Sequence, residues 1–394
     1  MKVRRAAGVP ALRLRRALGL SLIELLVALA IGAFLMFGAT QVYVDSRRTY
    51  DTNETVARLQ ETARFAMSVL EPDVRMANHF GLIKGGESFD DVNTPAQTAA
   101  ASPSWSELTA CGNNFVTDLK IAIQADDNTF LLTWSGGALP ATCSTVTQPD
   151  GSAWTSTPVV TADTLTVRRA SALALDLPST VDWLQVCSTR TKAWLIWDGS
   201  QCTDVAQNGL AEEQRSQRLN NLSVNAYYVD QNSSQAAGLP SLRRKTLIHP
   251  PGAKSRLADE EIAPGVEDMQ VQIGIERVPG VGLTAVATEY LNPVDYRAAV
   301  VAAAAAGQTL QVVAVRVWLL VRSDTLETGF TDNRVYAYGD RSVANGTTGD
   351  LDSAAAAGKA YRPDLSGDAG PGGRQHFRRL LVSRTFQLRN SMGT

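Results

Sequence analysis

The chain has 394 residues, 44% hydrophobic and 19% charged, enough apolar material to bury a sizeable core. Its formal charge of −2 conceals an asymmetry, because six of the 37 basic residues (Lys2, Arg4, Arg5, Arg13, Arg15 and Arg16) fall in residues 1 to 19, which hold no acid. The remainder carries 31 basic and 39 acidic residues, a formal charge of −8, which excludes a general attraction to nucleic acid or anionic lipid.

After the basic segment, Leu20 to Ala39 reads LSLIELLVALAIGAFLMFGA. At 1.5 Å per residue this run is long enough to cross a hydrocarbon core of about 30 Å. The positive-inside rule leaves residues 1 to 19 in the cytoplasm and everything after about residue 45 in the periplasm. A secretory signal places its small-residue cleavage site after the apolar stretch, whereas here Gly19 precedes it. Glu24 lies within the run, and a carboxylate in lipid costs at least about 2 kcal/mol, so it calls for a partner or a function.

Farther on, Val56, Leu59, Ala63, Ala66 and Leu70 recur at steps of three and four, with Arg58, Gln60, Glu61, Arg64 and Ser68 on the other faces. This predicts an amphipathic continuation of the same helix, kinked or ended near Glu71 because Pro72 lacks an N–H and clashes with the preceding turn. A helix from Leu20 to Leu70 would be on the order of 75 Å long. Its first half has only lipid or copies of itself to bury against; its second half can hold a domain.

Residues 84 to 114 are rich in Gly, Ser, Thr, Asn and Asp and read as loops. Strands are expected over Leu119–Ile123, Thr129–Trp134, Thr164–Arg168, Asp182–Val186, Ala193–Trp197, Leu222–Val229, Met269–Ile275, Val312–Arg322 and Val382–Leu388. Val271 to Ile275 alternates as a half-buried strand would, and the apolar Leu310–Val321 suits a central one. The alanine-rich Ala298–Ala306 predicts a short helix or packed connection, and residues 340 to 374 a long surface loop. A long helix followed by antiparallel strands implies an α+β architecture.

The four cysteines, Cys111, Cys143, Cys187 and Cys202, form no Cys-x-x-Cys pair, and only three histidines are present. Zinc or redox chemistry is poorly supported. An even count in an exported chain points to two disulfides. Three pairings are open, of which Cys111–Cys143 with Cys187–Cys202 closes the nearest-neighbour loops.

Gly19-Leu20-Ser21-Leu22-Ile23-Glu24 resembles the prepilin processing motif of type IV pilins and type II secretion pseudopilins. The resemblance implies cleavage between Gly19 and Leu20 by a membrane peptidase, methylation of the new N-terminus, and pairing of Glu24 with a neighbouring subunit's amine. Leu20 replaces the commoner phenylalanine. The stretch Arg64 to Met67 through Asp73 to Ala77 resembles the helix end of PilW-type minor pilins. Gly265 to Ile275 resembles their central strand, with Ile273 where an aromatic is usual, and Val312–Ser323 with Arg378, Arg379 and Val382 to Asn390 their C-terminal strands. These resemblances imply a cleaved leader over 1–19, a helix over 20–80 with its transmembrane part at about 20–43, and a periplasmic β-rich domain over 81–394. They also imply a low-abundance subunit that helps initiate pilus assembly near the tip. Its partners would be other minor pilins, the major pilin and the prepilin peptidase, with the inner membrane and then the pilus as its location. A tip adhesin, a DNA-uptake subunit and a minor pseudopilin are the alternative roles.

No Gly-x-Ser-x-Gly, His-Glu-x-x-His or Gly-x-x-x-x-Gly-Lys is present, so no catalytic residue, metal or cofactor is expected and the chain reads as non-enzymatic. Specific nucleic-acid binding is not expected either. Asp340 and the Asp350–Asp352 pair lack the ligand spacing of a calcium loop. Trp183, Trp194 and Trp197 read as core rather than a binding platform. Arg378, Arg379, Arg389 and Asn390 are expected to serve structure.

Overall fold

A computed structural model of the protein describes residues 21–85, 115–127, 141–159, 161–175, 182–190, 192–197, 217–278, 286–306, 309–327, 329–332, 336–337, 360–361 and 373–390, with 89, 108, 110–112 and 334. The leader, Gly19, Leu20 and Cys202, the strand expected over Thr129–Trp134, and Asp340, Asp350 and Asp352 lie outside the described residues. So does most of 340 to 374. The chain divides into two compact units, Met1–Thr55 and Val56–Thr394.

Helix α1 spans Leu22–Met76. Ser21 caps it: the Glu24 N–H donates to Ser21 Oγ at 3.2 Å and the Leu25 N–H to Ser21 O at 3.1 Å. Ser21 and Glu24 thus stand at the N-cap and N3 positions of a capping box. Thr40, Thr49 and Thr55 each donate their hydroxyl to the carbonyl four residues back, which satisfies them within the helix.

Of the two outcomes expected at the proline, an end at Glu71 is not found; the helix runs through an exposed Pro72 to Met76. The turn beyond the proline is held from outside, since Asp73 and Val74 are buried, the Arg389 N–H donates to Arg75 O at 3.2 Å and Asn390 Nδ2 to Ala77 O at 3.3 Å. These contacts offset the roughly 3 kcal/mol that an internal proline costs. The chain then turns at Asn78, whose φ of 65 is the left-handed conformation common after helices.

The strands are β1 (His79–Phe80), β2 (Ile83–Lys84), β3 (Ile123–Asp126), β4 (Thr164–Leu175), β5 (Gln185–Ser188), β6 (Ala193–Ile196), β7 (Arg218–Asp230), β8 (Ser241–Ile248), β9 (Arg256–Pro264), β10 (Val266–Val278), β11 (Glu289–Leu291), β12 (Thr309–Arg322), β13 (Tyr336–Ala337), β14 (Ala360–Tyr361) and β15 (Arg379–Gln387). Among the described residues, the short helices α2 (Ala141–Ser144) and α3 (Pro293–Ala305) intervene. A seven-stranded sheet runs β3-β4-β7-β5-β6, with β8 joined to β7 and β9 to β8; a four-stranded sheet runs β11-β10-β12-β15. The pairings between these strands are antiparallel, and Phe89 adds an isolated parallel bridge to Ala193 of β6.

Gly265 alone separates β9 in the first sheet from β10 in the second. Its φ is +85, and a Cβ there would meet Arg322 O at 2.7 Å, so only glycine fits this corner. The Arg322 N–H closes it by donating to Gly265 O at 2.6 Å.

Several expected strands shift. Leu119 sits in a turn and the first strand of this region begins only at Ile123; Asp182–Val186 becomes Gln185–Ser188. The alternation over Val271–Ile275 predicts one solvated face, but Gln270 and Gln272 are buried as well. Their amides donate to Thr161 O at 2.9 Å and Asn292 Oδ1 at 3.1 Å, which is what permits a polar face to be covered.

The buried stripe of α1 (Leu59, Ala63, Ala66, Met67, Leu70 and Val74) joins a core with Leu165, Val167 and Tyr227 of the first sheet and Val271, Ile273, Val315 and Val317 of the second. Each large apolar side chain so buried contributes about 1.5–3 kcal/mol. A second core holds Phe80, Phe115, Leu184, Val186 and Leu222. Within it Cys111 and Cys143 form a disulfide. Cys187 is also disulfide-bonded.

Candidate assembly site

The first unit presents a helix with no covered face. Leu22, Phe34 and Met36 are 77%, 78% and 77% exposed. The most apolar 18-residue window of α1 has a mean hydropathy of 2.4, and none of it is buried within the protein. Such a surface requires lipid or another helix around it. Glu24 is exposed at the start of this segment. Its backbone is engaged by Ser21, and its carboxylate stands in the first turn, where the helix dipole favours a negative charge. Those two local effects set the helix start and leave Glu24 exposed.

In the second unit α1 bears a different carboxylate. Asp73 is 4% exposed and is met by three adjacent strands. Arg169 of β4 donates through Nη2 at 2.6 Å and Nε at 3.0 Å. Asn225 Nδ2 and the Tyr227 hydroxyl of β7 donate at 2.5 Å each, and Arg244 of β8 lies 3.9 Å away. Burial and the neighbouring Asp73 charge push the Tyr227 phenol far above its usual range. Nearby, Glu71 pairs with Arg75 and with Arg384 of β15, both at 2.9 Å. These contacts fix the angle at which the helix meets both sheets.

Behind this junction lies a buried charge network that sequence reasoning missed. Arg243, Arg244 and Lys245 of β8 stand opposite Glu261, Glu260 and Asp259 of β9 in the antiparallel register. Asp259 receives Arg243 Nε at 2.7 Å, Lys245 Nζ at 2.7 Å and the Tyr228 hydroxyl at 2.6 Å. Arg243 also stacks 3.7 Å over Trp154. Arg243, Lys245 and Asp259 are each 0% exposed. Burial pushes the Lys245 amine down against the pull of Asp259. The signal that could have revealed this pair of strands is the basic triplet followed by an acidic triplet one hairpin later.

The C-terminal arginines serve the fold, as expected of them. Arg379 pairs with Glu267 at 2.5 Å and Asp332 at 3.2 Å, and Arg378 with Glu327. Arg389 and Asn390 hold the helix end through the bonds given above. The tryptophans are not brought together into one platform: Trp194 packs on Cys187, Ile196 and Leu219, Trp197 on the second core, and Trp183 donates to Pro250 O and Ala253 O at 3.1 Å. Among the described residues, no group of three His, Cys, Asp or Glu side chains is placed to hold a metal.

Two family models match the chain: Type IV Pilus-assembly protein W over residues 226–390, and the prokaryotic N-terminal methylation motif over residues 14–40. The first takes in the end of β7 through β15, and so includes the Gly265 corner and the paired charges of β8 and β9. No curated protein matches. Among solved structures, a type IV-like pilin from Thermus thermophilus is similar at 10% identity, over 60% of this chain and 84% of that one, with a TM-score of 0.23.

Proposed function

Because this chain is a type IV pilin-like protein with a PilW domain and a prepilin motif, we propose that it is a minor pilin that helps initiate pilus assembly, acting near the tip. The family is one of structural proteins rather than a known enzyme family. The observation that carries the proposal is the uncovered apolar segment of α1, with one outward carboxylate near its start.

Cleavage between Gly19 and Leu20 by the prepilin peptidase removes the basic leader and creates an N-terminal amine, which is then methylated. The helix rests in the inner membrane as a single pass, with residues 81–394 in the periplasm. On assembly it leaves lipid for a bundle of pilin helices. Glu24 of one subunit then neutralises the amine of another; each charge is costly alone in an apolar medium and much cheaper as a pair. The β-domain docks on other minor pilins.

Mass spectrometry of the N-terminal peptide, in membrane and sheared-fibre fractions, tests this reading. A methylated N-terminus at Leu20 in the fibre is the expected result. An intact leader in cells with active peptidase overturns it. Loss of protein secretion rather than of piliation on deletion of the gene would assign the chain to a secretion system instead.

A further inference from the structure

Lys245 of β8 and Asp259 of β9 stand directly opposite each other in the antiparallel register, so their side chains leave the same face of the hairpin. Both are fully buried, and Lys245 Nζ donates to Asp259 Oδ2 at 2.7 Å. The other contacts divide between the two carboxylate oxygens. Oδ1 accepts from Arg243 Nε at 2.7 Å. Oδ2 accepts from the Tyr228 hydroxyl at 2.6 Å and from the Ser156 hydroxyl at 3.2 Å. Ser156 Oγ also accepts from Lys245 Nζ at 2.9 Å, so one hydroxyl bridges the amine and Oδ2. Arg243, Tyr228 and Ser156 are themselves buried.

We propose that Lys245 and Asp259 join in an intramolecular isopeptide bond, which ties β8 covalently to β9. Each group around the carboxyl carbon has a part in an acyl transfer. A lysine taken out of water is shifted toward its neutral amine, the nucleophilic form, and burial does push the Lys245 amine down. A cation fixed beside Oδ1 stabilises the negative charge that builds on that oxygen when the carbon is attacked. Two hydroxyls beside Oδ2 serve the oxygen that leaves. Burial and the Asp259 charge hold the Tyr228 phenol well above its usual range, in its donor form. Lys254 and Asp182 make the contrast: they pair at 3.3 Å, but both side chains reach solvent, which keeps the amine charged.

In the first step the ammonium passes a proton to Oδ2 along the 2.7 Å hydrogen bond. The neutral nitrogen then attacks Cγ, the C–N bond forms, and the carbonyl electron pair moves to Oδ1 beside Arg243. Ser156 takes one proton from the nitrogen and gives its own to Oδ2. The Cγ–Oδ2 bond breaks, one water leaves, and the electron pair on Oδ1 restores the carbonyl of the new amide. Nothing is oxidised or reduced. Among the described strands β9 pairs with β8 alone, and it leads through Gly265 into the second sheet. Hydrogen bonds along such an edge open one at a time, whereas an amide across it does not open. The bond therefore fixes the strand that carries the corner between the two sheets.

Mass spectrometry of the full-length chain, purified in detergent, reduced and denatured, tests the bond. The mass is expected to fall one water below the value for the N-terminus the chain carries. Trypsin is then expected to release a branched peptide, residues 245–254 joined to residues 257–277 through the side chains of Lys245 and Asp259. Lys245→Arg keeps a cation but supplies no nucleophilic amine, and is expected to restore the full mass and the linear 257–277 peptide. Ser156→Ala removes the proton relay, and the linear peptide is expected to appear beside the branched one. A wild-type chain of full mass that yields only the linear peptide overturns the bond and leaves Lys245 and Asp259 as an ion pair. A deficit of one water located elsewhere in the chain overturns it as well. Neither result touches the pilin reading, which turns on the N-terminal peptide.

Discussion

Glu24 and Asp73 are two carboxylates on one helix, and they serve opposite ends. Glu24 is exposed and, among the described residues, is met by its own turn, through Ser21. Asp73 is buried and takes hydrogen bonds from Arg169, Asn225 and Tyr227. The helix around Glu24 is apolar on all sides, whereas the helix around Asp73 is apolar along one stripe. A carboxylate in the first setting has no cation beside it among the described residues. In the second it is met within the fold and locks a helix to two sheets. Position relative to partners decides which role an acidic side chain plays.

The comparison is broken most severely at Asp73. Asp73→Ala leaves Arg169 and Tyr227 facing an empty site, and is expected to cost about 3–5 kcal/mol, as for removal of one partner of a buried pair; urea unfolding of the detergent-solubilised chain measures it. Leu70→Ala, at a position 0% exposed, removes packing but no charge, and a loss of about 2–5 kcal/mol is expected. If Leu70→Ala cost clearly more than Asp73→Ala, packing rather than the carboxylate would hold the helix.

A smaller effect is pH-dependent. Burial outweighs the attraction of Arg297 and raises the Asp126 carboxyl to about 6. The folded state therefore binds this proton more tightly than the unfolded chain does. The corresponding stability is fully present below about pH 4 and is lost as the pH rises through about 6, a change of up to about 3 kcal/mol. Asp126→Asn is expected to flatten this part of the stability profile in thermal melts taken from pH 4 to pH 8.

The smallest effect on stability belongs to Glu24. Glu24→Gln keeps a residue able to complete the capping box, so a change within about 0.5 kcal/mol is expected. Its effect on function is the reverse: the processed chain should be missing from sheared fibres. Normal incorporation of Glu24→Gln would end the charge-pair mechanism and erase the contrast with Asp73.

Much of the helix was legible because its signals are local. The 20-residue apolar run and the steps of three and four from Leu59 to Leu70 follow from helix geometry alone. Ala298–Ala306 announced α3, though not its start at Pro293. The strands β8 and β9 were not legible, since Ser241–Ile248 and Arg256–Pro264 carry charged triplets that read as solvated. Only the register that sets Arg243, Arg244 and Lys245 against Glu261, Glu260 and Asp259 makes those triplets compatible with burial.

The sequence by itself determined which run is long and apolar enough to cross a membrane, where the prepilin motif lies, and which stripe of the helix faces inward. Each of these depends on residues within a few turns of one another. The tertiary structure alone decided that α1 continues past Pro72, that Asp73 is a lock, and that Arg243, Lys245 and Asp259 share a sheet interior. Those outcomes rest on partners as far apart in sequence as Ala77 and Asn390, or Asp73 and Tyr227. A buried charge or a strained turn is tolerated only once such partners are in place to neutralise or hold it.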